Sequence, residues 1–461
     1  MSIKRGLAYV LIANAINLLI GLVNSFFLPK YLSYESYAMI KTYTLYMAYV
    51  GCLHLGYLDG MYLRYGGKDI SAIDKDDIGT EHKNILFMQV AVSAIVFCIS
   101  LTQHSAVLYM FSIGLLLNNL ISFYQMLFQA TGCFKLYSRA LNYSKITEFV
   151  LNMSLLFLLC VDNYVLYIGN HILAMTLVLS YLAFSLSKKT AYFRSGHLDF
   201  NRFKENISTG FILMLGNLSN NFFTALDRWF VKILMTAKDF SIYSFAVSID
   251  SLITIFVTPL SITLYNALCQ NSEAEYIRRM KRIILIWGFM IIVPAFAAKW
   301  ILEHFMVKYV DSGELIFLLF ATQAIYSVIK GVYVNLYKAQ KKQNEYLRQM
   351  ILMTVISFLL NVLLFSFLGS RVSLAIGTLL TAFIWLIICE FKNPEIRFSK
   401  KEWVAFGIEM TTYITCGAIL SPVVGLFVYS IVSATVLLLL LRDDFLFMVS
   451  SAKEFVLKRK L

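Results

Sequence analysis

Apolar stretches close to 20 residues long recur from one end of this 461-residue chain to the other, and no other feature constrains the fold as tightly. A hydrocarbon layer about 30 Å thick is crossed by roughly 20 apolar residues of helix, because a helix satisfies its own backbone polar groups where water cannot. Segments of this kind lie near 7–28, 38–58, 85–102, 106–129, 146–161, 164–186, 207–227, 241–262, 283–305, 313–334, 350–368, 371–390, 403–421 and 423–441. The pattern predicts an all-α integral membrane protein with about 14 transmembrane helices. The fifth segment is short and carries Glu148, and the eleventh and twelfth are parted only by Gly369-Ser370-Arg371, so 12 is the alternative count. Composition agrees, since 15% of the residues are charged where a soluble domain needs about 25% to cover its surface. The first segment follows Lys4 and Arg5 as a signal peptide would. It is too long for that and ends in Pro29-Lys30 without a small-x-small site, so it is read as a retained helix.

The net charge of +13 would suit a nucleic-acid binder if the basic residues formed one solvent-exposed face. They lie instead in short loops between apolar segments, which excludes that class and sets an orientation. Counting alternate sides, 31 of the 40 lysines and arginines fall on the side that holds both termini. The positive-inside rule therefore predicts cytoplasmic termini. The opposite connections are as short as 103–105 and 162–163, leaving no room for a periplasmic domain. Seven scattered cysteines and six scattered histidines show no metal-ligand spacing. No phosphate-binding G-x-x-x-x-G-K-[ST] loop is present, and Asp74-x-Asp76 sits in a loop too small for a nucleotide-sugar domain, so neither ATP hydrolysis nor glycosyl transfer is expected. No cofactor is implied.

An internal repeat divides the chain. At an offset of 203 residues, Asn14 aligns with Asn217, Asn17 with Asn220, Asn24 with Asp227, and Phe26-Phe27 with Trp229-Phe230. Six segments separate the copies, so they run in the same direction, as parallel repeats do. The expected organisation is two parallel-repeat bundles, residues 1–202 and 203–391, followed by two additional helices and a basic cytoplasmic tail in 392–461.

Polar side chains inside a bilayer are costly, about 2.5–3.5 kcal/mol for a central charge on insertion scales, and so mark a cavity or a partner helix. Asn14, Asn17 and Asn24 share a stripe on the first helix, and Asn217, Asn220, Asn221, Thr224 and Asp227 share one on the seventh. Asn118, Ser122, Gln125 and Gln129 repeat at helical spacing on the fourth. These are candidates to line a wet cavity; the plainer alternative is interhelical hydrogen bonding at about 0.6 kcal/mol per pair. Candidate anion-binding cations are Lys41, Lys330, Arg64 and Arg228, with Lys299 close enough to a helix end to snorkel. Embedded carboxylates are Glu148, Asp250, Glu303 and Glu409; Asp250 and then Glu148 are the candidates to exchange the H+ or Na+ that would drive transport. The basic tail, with Lys453, Lys458, Arg459 and Lys460, suits an anionic lipid surface or a solvated end.

Two local motifs carry a family resemblance. Leu55-Gly56-Tyr57-Leu58-Asp59-Gly60 followed by Arg64-Tyr65 is similar to the L-G-x-x-x-G stretch that Wzx-type O-antigen flippases carry after their second helix. Asp227-Arg228-Trp229-Phe230 leading to Ser241-Ile242-Tyr243 resembles their D-R-x-hydrophobic segment before G-x-Y, with Ser241 in place of the usual glycine. Those flippases form the polysaccharide-export branch of the multidrug/oligosaccharidyl-lipid/polysaccharide exporter superfamily. The resemblance implies two helical bundles around a cationic cavity in a bacterial inner membrane. It also implies translocation of an undecaprenyl-diphosphate-linked oligosaccharide from the cytoplasmic to the periplasmic face by ion-coupled alternating access. Membrane lipids, a polysaccharide polymerase and a chain-length regulator are the implied partners. Carboxamides suit sugar hydroxyls, and the 28 tyrosines offer faces to sugar rings. The alternatives are a drug/cation antiporter of a sister family, which would favour acidic residues in its cavity, and a membrane-bound glycan polymerase, which would carry a long periplasmic loop.

Overall fold

The computed structural model describes residues 3–190, 192, 195–270, 273–448 and 450, and among them there is no strand. Two compact units divide the chain, residues 1–225 and 226–461. The first is built from α1 (Ile3–Tyr31), α2 (Tyr34–Met47), α3 (Tyr57–Tyr65), α4 (Lys75–Thr102), α5 (Ala106–Ala130), α6 (Phe134–Phe157), α7 (Tyr164–Thr190) and most of α8 (Phe200–Leu234). The second holds the end of α8 with α9 (Ala237–Gln270), α10 (Ala274–Ile291), α11 (Pro294–Phe305), α12 (Gly313–Val328), α13 (Val334–Ala339), α14 (Gln343–Leu368), α15 (Arg371–Lys392), α16 (Lys400–Ile419) and α17 (Pro422–Leu440). Eight described stretches are long and apolar enough to cross a membrane. The protein is an all-α, multi-pass membrane protein. The Asn-striped α8 is not among the eight, because its carboxamides and charges dilute its apolar content.

Short polar side chains start many of these helices by accepting from the otherwise orphaned N–H groups of the first turn. Ser33 does so for α2, Asp74 for α4, Ser105 for α5 and Ser370 for α15, while Ser399 and Glu402 form a reciprocal capping box on α16. Asp199 caps α8 by accepting from the Asn201 and Arg202 amides, and those hydrogen bonds, with Arg202 first, hold its carboxyl below the usual range. Three expected segments are not continuous α-helices. The second, 38–58, ends at Met47 and resumes as α3 after a turn in which Leu55 and Gly56 take left-handed φ angles of 50° and 84°. The ninth breaks before Pro294, whose ring cannot donate to the preceding turn. The tenth loosens into a π-helical turn at Ile329–Tyr333.

Within the first unit α4 packs on α5, α5 and α6 on α7, and α1 on α6. Here α3 rests directly on α8. A Cβ on Gly60 would overlap the Asn206 carbonyl, and one on Gly56 would lie 2.6 Å from the backbone at Gly210 and Phe211. That closeness brings Tyr57, Tyr65 and Asn206 around the buried carboxylate of Glu81 on α4. Tyr65 donates to it at 3.3 Å and Asn206 at 2.7 Å, and Tyr57 donates as well.

In the second unit α12 is the innermost helix, packed by α9, α10, α15 and α16. Beside it Lys281 of α10, only 1% exposed, pairs with Glu390 of α15 at 2.9 Å. Tyr333 and the Phe398 amide both donate to Glu390 at 2.6 Å, and Lys281 also donates to the Ile396 carbonyl. Lys299 donates to the Gly417 and Leu420 carbonyls at 2.7 and 3.1 Å and so closes the C-terminus of α16.

Candidate functional site

Four of the residues singled out by sequence come together in the second unit. Asp250, on α9, is buried and accepts from Gln323 of α12 at 2.8 Å through one oxygen. Its other oxygen has no hydrogen-bond partner among the described residues. Lys330, Arg228 and Asp227 all lie within electrostatic reach of Asp250. The π-helical turn carries Lys330, whose ammonium sits 4.6 Å from the Tyr326 ring centroid. Such turns depart from regular helix at some expense and recur at functional sites. Asp227, near the end of α8, accepts from the Tyr243 hydroxyl at 2.6 Å and from the Arg228 amide at 2.7 Å. Two carboxylates, two cations and two tyrosines are thus gathered by α8, α9, α12 and the π-helical turn that follows α12. A buried carboxylate with one oxygen fixed by an amide and the other without a donor has the chemistry of a proton or small-cation acceptor.

The first unit treats its carboxylate differently. Glu148 of α6 pairs with Lys145 at 3.3 Å and with Nδ1 of His171, on α7, at 3.1 Å. The His171 ring meets Tyr43 of α2 edge-on at 5.7 Å. Glu148 is therefore already neutralised by its own unit. Lys41 lies over the Tyr37 ring at 5.2 Å. Arg64 is held by Glu205 at 2.6 Å, joining α3 to α8.

The carboxamide stripes divide by environment. On α1 the amide oxygens of Asn17 and Asn24 are buried and lack a hydrogen-bond partner among the described residues. The Asn14 side chain lies outside the described residues, as do Lys453, Lys458, Arg459 and Lys460 of the tail. Asn217 and Asn220 of α8 are exposed, while Asn221 donates to the Ala48 carbonyl at 3.1 Å. On α5, Asn118 and Gln125 are half-buried and Gln129 is exposed. The fully buried member there is Asn119, which donates to Gln89 at 2.7 Å and to the Val50 carbonyl at 3.2 Å. Sequence reasoning also missed the Lys281–Glu390 pair, because Lys281 sits in a basic loop-like run and its partner is far along the chain.

No family model and no curated protein matches this chain. Solved structures do. A structure of the lipid II flippase MurJ in an inward closed conformation superposes with a TM-score of 0.69 at 11% identity, over 94% of this chain and 98% of that one. A multidrug-resistance MATE transporter of the MOP superfamily, facing inward, gives 0.58 at 14% identity over 83% and 95%. A MATE structure in the straight conformation gives 0.53 at 12% identity over 85% and 96%. The chain has the fold of the MOP-superfamily transporters. At identities this low the likeness is one of architecture.

Proposed function

We propose that this chain is a flippase for a lipid-linked oligosaccharide, carrying an undecaprenyl-diphosphate-linked glycan from the cytoplasmic to the periplasmic face of a bacterial inner membrane. The observation that carries the reading is the lipid II flippase match, which takes in nearly the whole of both chains at a TM-score of 0.69, against 0.58 and 0.53 for the two MATE structures. Intramembrane cations favour the same reading. A diphosphate needs charge-assisted donors, and Arg228 and Lys330 supply two where a cation exporter would be served by acids alone. An arriving diphosphate competes with Asp250 for Lys330, and Asp250, losing that partner, takes up H+ or Na+. Binding of cargo and ion are then coupled through one lysine. Among the carboxylates Asp250 is favoured over Glu148, which Lys145 and His171 already engage. A glycan polymerase and a chain-length regulator are the downstream partners this role entails.

Deletion of the gene tests the reading directly. The expected result is loss of surface polysaccharide, with its lipid-linked repeat unit accumulating on the cytoplasmic leaflet. In the complemented strain, Lys330→Ala lowers rescue about tenfold or more, as loss of a charge-assisted contact of roughly 1.5–3 kcal/mol requires, and Lys330→Arg retains most of it. Intact surface glycan with new sensitivity to cationic drugs would replace the flippase by a drug antiporter.

A further inference from the structure

Outside the transport machinery, the connection between α13 and α14 has an unusual residue at its turn. The Lys342 amide donates to the Tyr337 carbonyl at 2.8 Å and the Lys341 amide to the Lys338 carbonyl at 3.1 Å. This pair of bonds is the helix-ending arrangement in which glycine ordinarily occupies the left-handed position. Here that position is Lys341, at φ +58°. A side chain is strained there, so a cation stands where a neutral glycine would fold more easily.

Its neighbours explain the choice. Lys341, Lys342, Asn344, Glu345, Arg348 and Lys392 line a cavity of about 570 Å³. Four cations face a single carboxylate, Glu345, which Lys392 pairs with at 3.2 Å, so the net charge of the lining is +3. From Arg348 the same face of α14 continues through Leu352, Val355, Leu359 and Val362, at helical steps of four, three, four and three, all of them exposed. A cationic cavity at the start of a helix whose exposed face runs on as apolar side chains, in a membrane-spanning protein, matches the two ends of an anionic phospholipid.

We propose that this cavity is a binding site for the phosphate of an anionic phospholipid, whose acyl chain lies along the Leu352–Val355–Leu359 face of α14. The site is separate from the Asp250 and Lys330 cluster and independent of which cargo the protein carries. Free inorganic phosphate would satisfy the cations but gain nothing from the apolar face.

The test uses the purified full-length protein in neutral detergent, titrated with phosphatidylglycerol, with phosphatidylcholine of the same chains, or with inorganic phosphate, and read by native mass spectrometry. Phosphatidylglycerol is expected to bind at least tenfold more tightly than phosphatidylcholine, and equimolar phosphate to leave it bound. Lys341→Gly, which keeps the turn and relieves its strain, and Arg348→Gln are each expected to weaken phosphatidylglycerol about fivefold, the worth of one juxtamembrane cation. Lys135→Gln, an exposed cation elsewhere, should leave the affinity unchanged. Equal binding of the two lipids, displacement by phosphate, an equal loss in Lys135→Gln, or wild-type affinity in the Lys341→Gly/Arg348→Gln pair would each overturn the assignment.

Discussion

At the scale of single residues, Lys281 is the most completely buried cation among the described residues. Its desolvation is offset only while Glu390, Tyr333 and the Ile396 carbonyl remain in place. Removing one partner of such a pair leaves the other charge buried and costs about 3–5 kcal/mol, whereas replacing both with apolar groups is often neutral. Lys281→Ala should therefore lower the melting temperature of the detergent-purified protein sharply, and Lys281→Met with Glu390→Leu should restore most of it. A single Lys281→Ala variant that melts with the parent would refute the account. Nothing local announced this residue: it stands beside Arg278, Arg279 and Arg282, and its partner is 109 positions away. Asp250 and Lys330 were legible for the opposite reason, since each interrupts an apolar run where a charge is conspicuous, and Asp227 and Arg228 through the repeat and the D-R motif. On α5 the carboxamide that turns into the protein is Asn119, one position along from Asn118 of the stripe. Asn118 and Asn119 are only about 100° apart on the helix, and periodicity alone does not say which of two adjacent asparagines points inward.

Among the elements, the seating of α3 on α8 is the packing most sensitive to one atom. The Gly56 and Gly60 pair was visible as a motif, but its physical content, a backbone-to-backbone approach against Asn206 and Gly210, becomes apparent only in three dimensions. Gly60→Val forces α3 off α8 and separates Tyr57 and Asn206 from Glu81. Overpacking of this kind costs about 1–3 kcal/mol, and proteolysis in the 66–74 connection between α3 and α4 should accelerate with it. Gly51→Ala is the matched control, because a Cβ there meets nothing within 4 Å, and it should behave as wild type. Protection of the loop in Gly60→Val equal to that in Gly51→Ala would show that the contact is slack. The break at Pro294 was foreseeable from the missing donor. The π-helical turn at Lys330 was not, because a one-residue slip in hydrogen-bond register leaves no compositional trace.

For the whole molecule, hydropathy made the membrane class and the all-α architecture legible, and the architecture is that of the MOP-superfamily transporters. It could not fix every span, because helices such as α8 trade apolar content for polar stripes. Orientation rests on the loops, and the contacts within each unit are consistent with the expected alternation. In the first unit Ser33 donates to Asp162, joining two connections assigned to the periplasmic side, while Asn84 and Asp199 join two assigned to the cytoplasmic side. In the second, Arg371 ties Asp239 at 2.7 Å and Asp311 at 3.2 Å on one side. On the other, Arg282 ties Asp444 at 2.6 Å and Glu402 at 3.7 Å. With 31 of 40 basic residues on the second of these sides, that side should face the cytoplasm. A green fluorescent protein fused after residue 461 should therefore fluoresce, and alkaline phosphatase at the same point should be silent. Alkaline phosphatase inserted at 103–105 or at 162–163 should be active. Active phosphatase at the C-terminus would invert the whole assignment, because every contact that groups the loops would then carry the basic set to the outside.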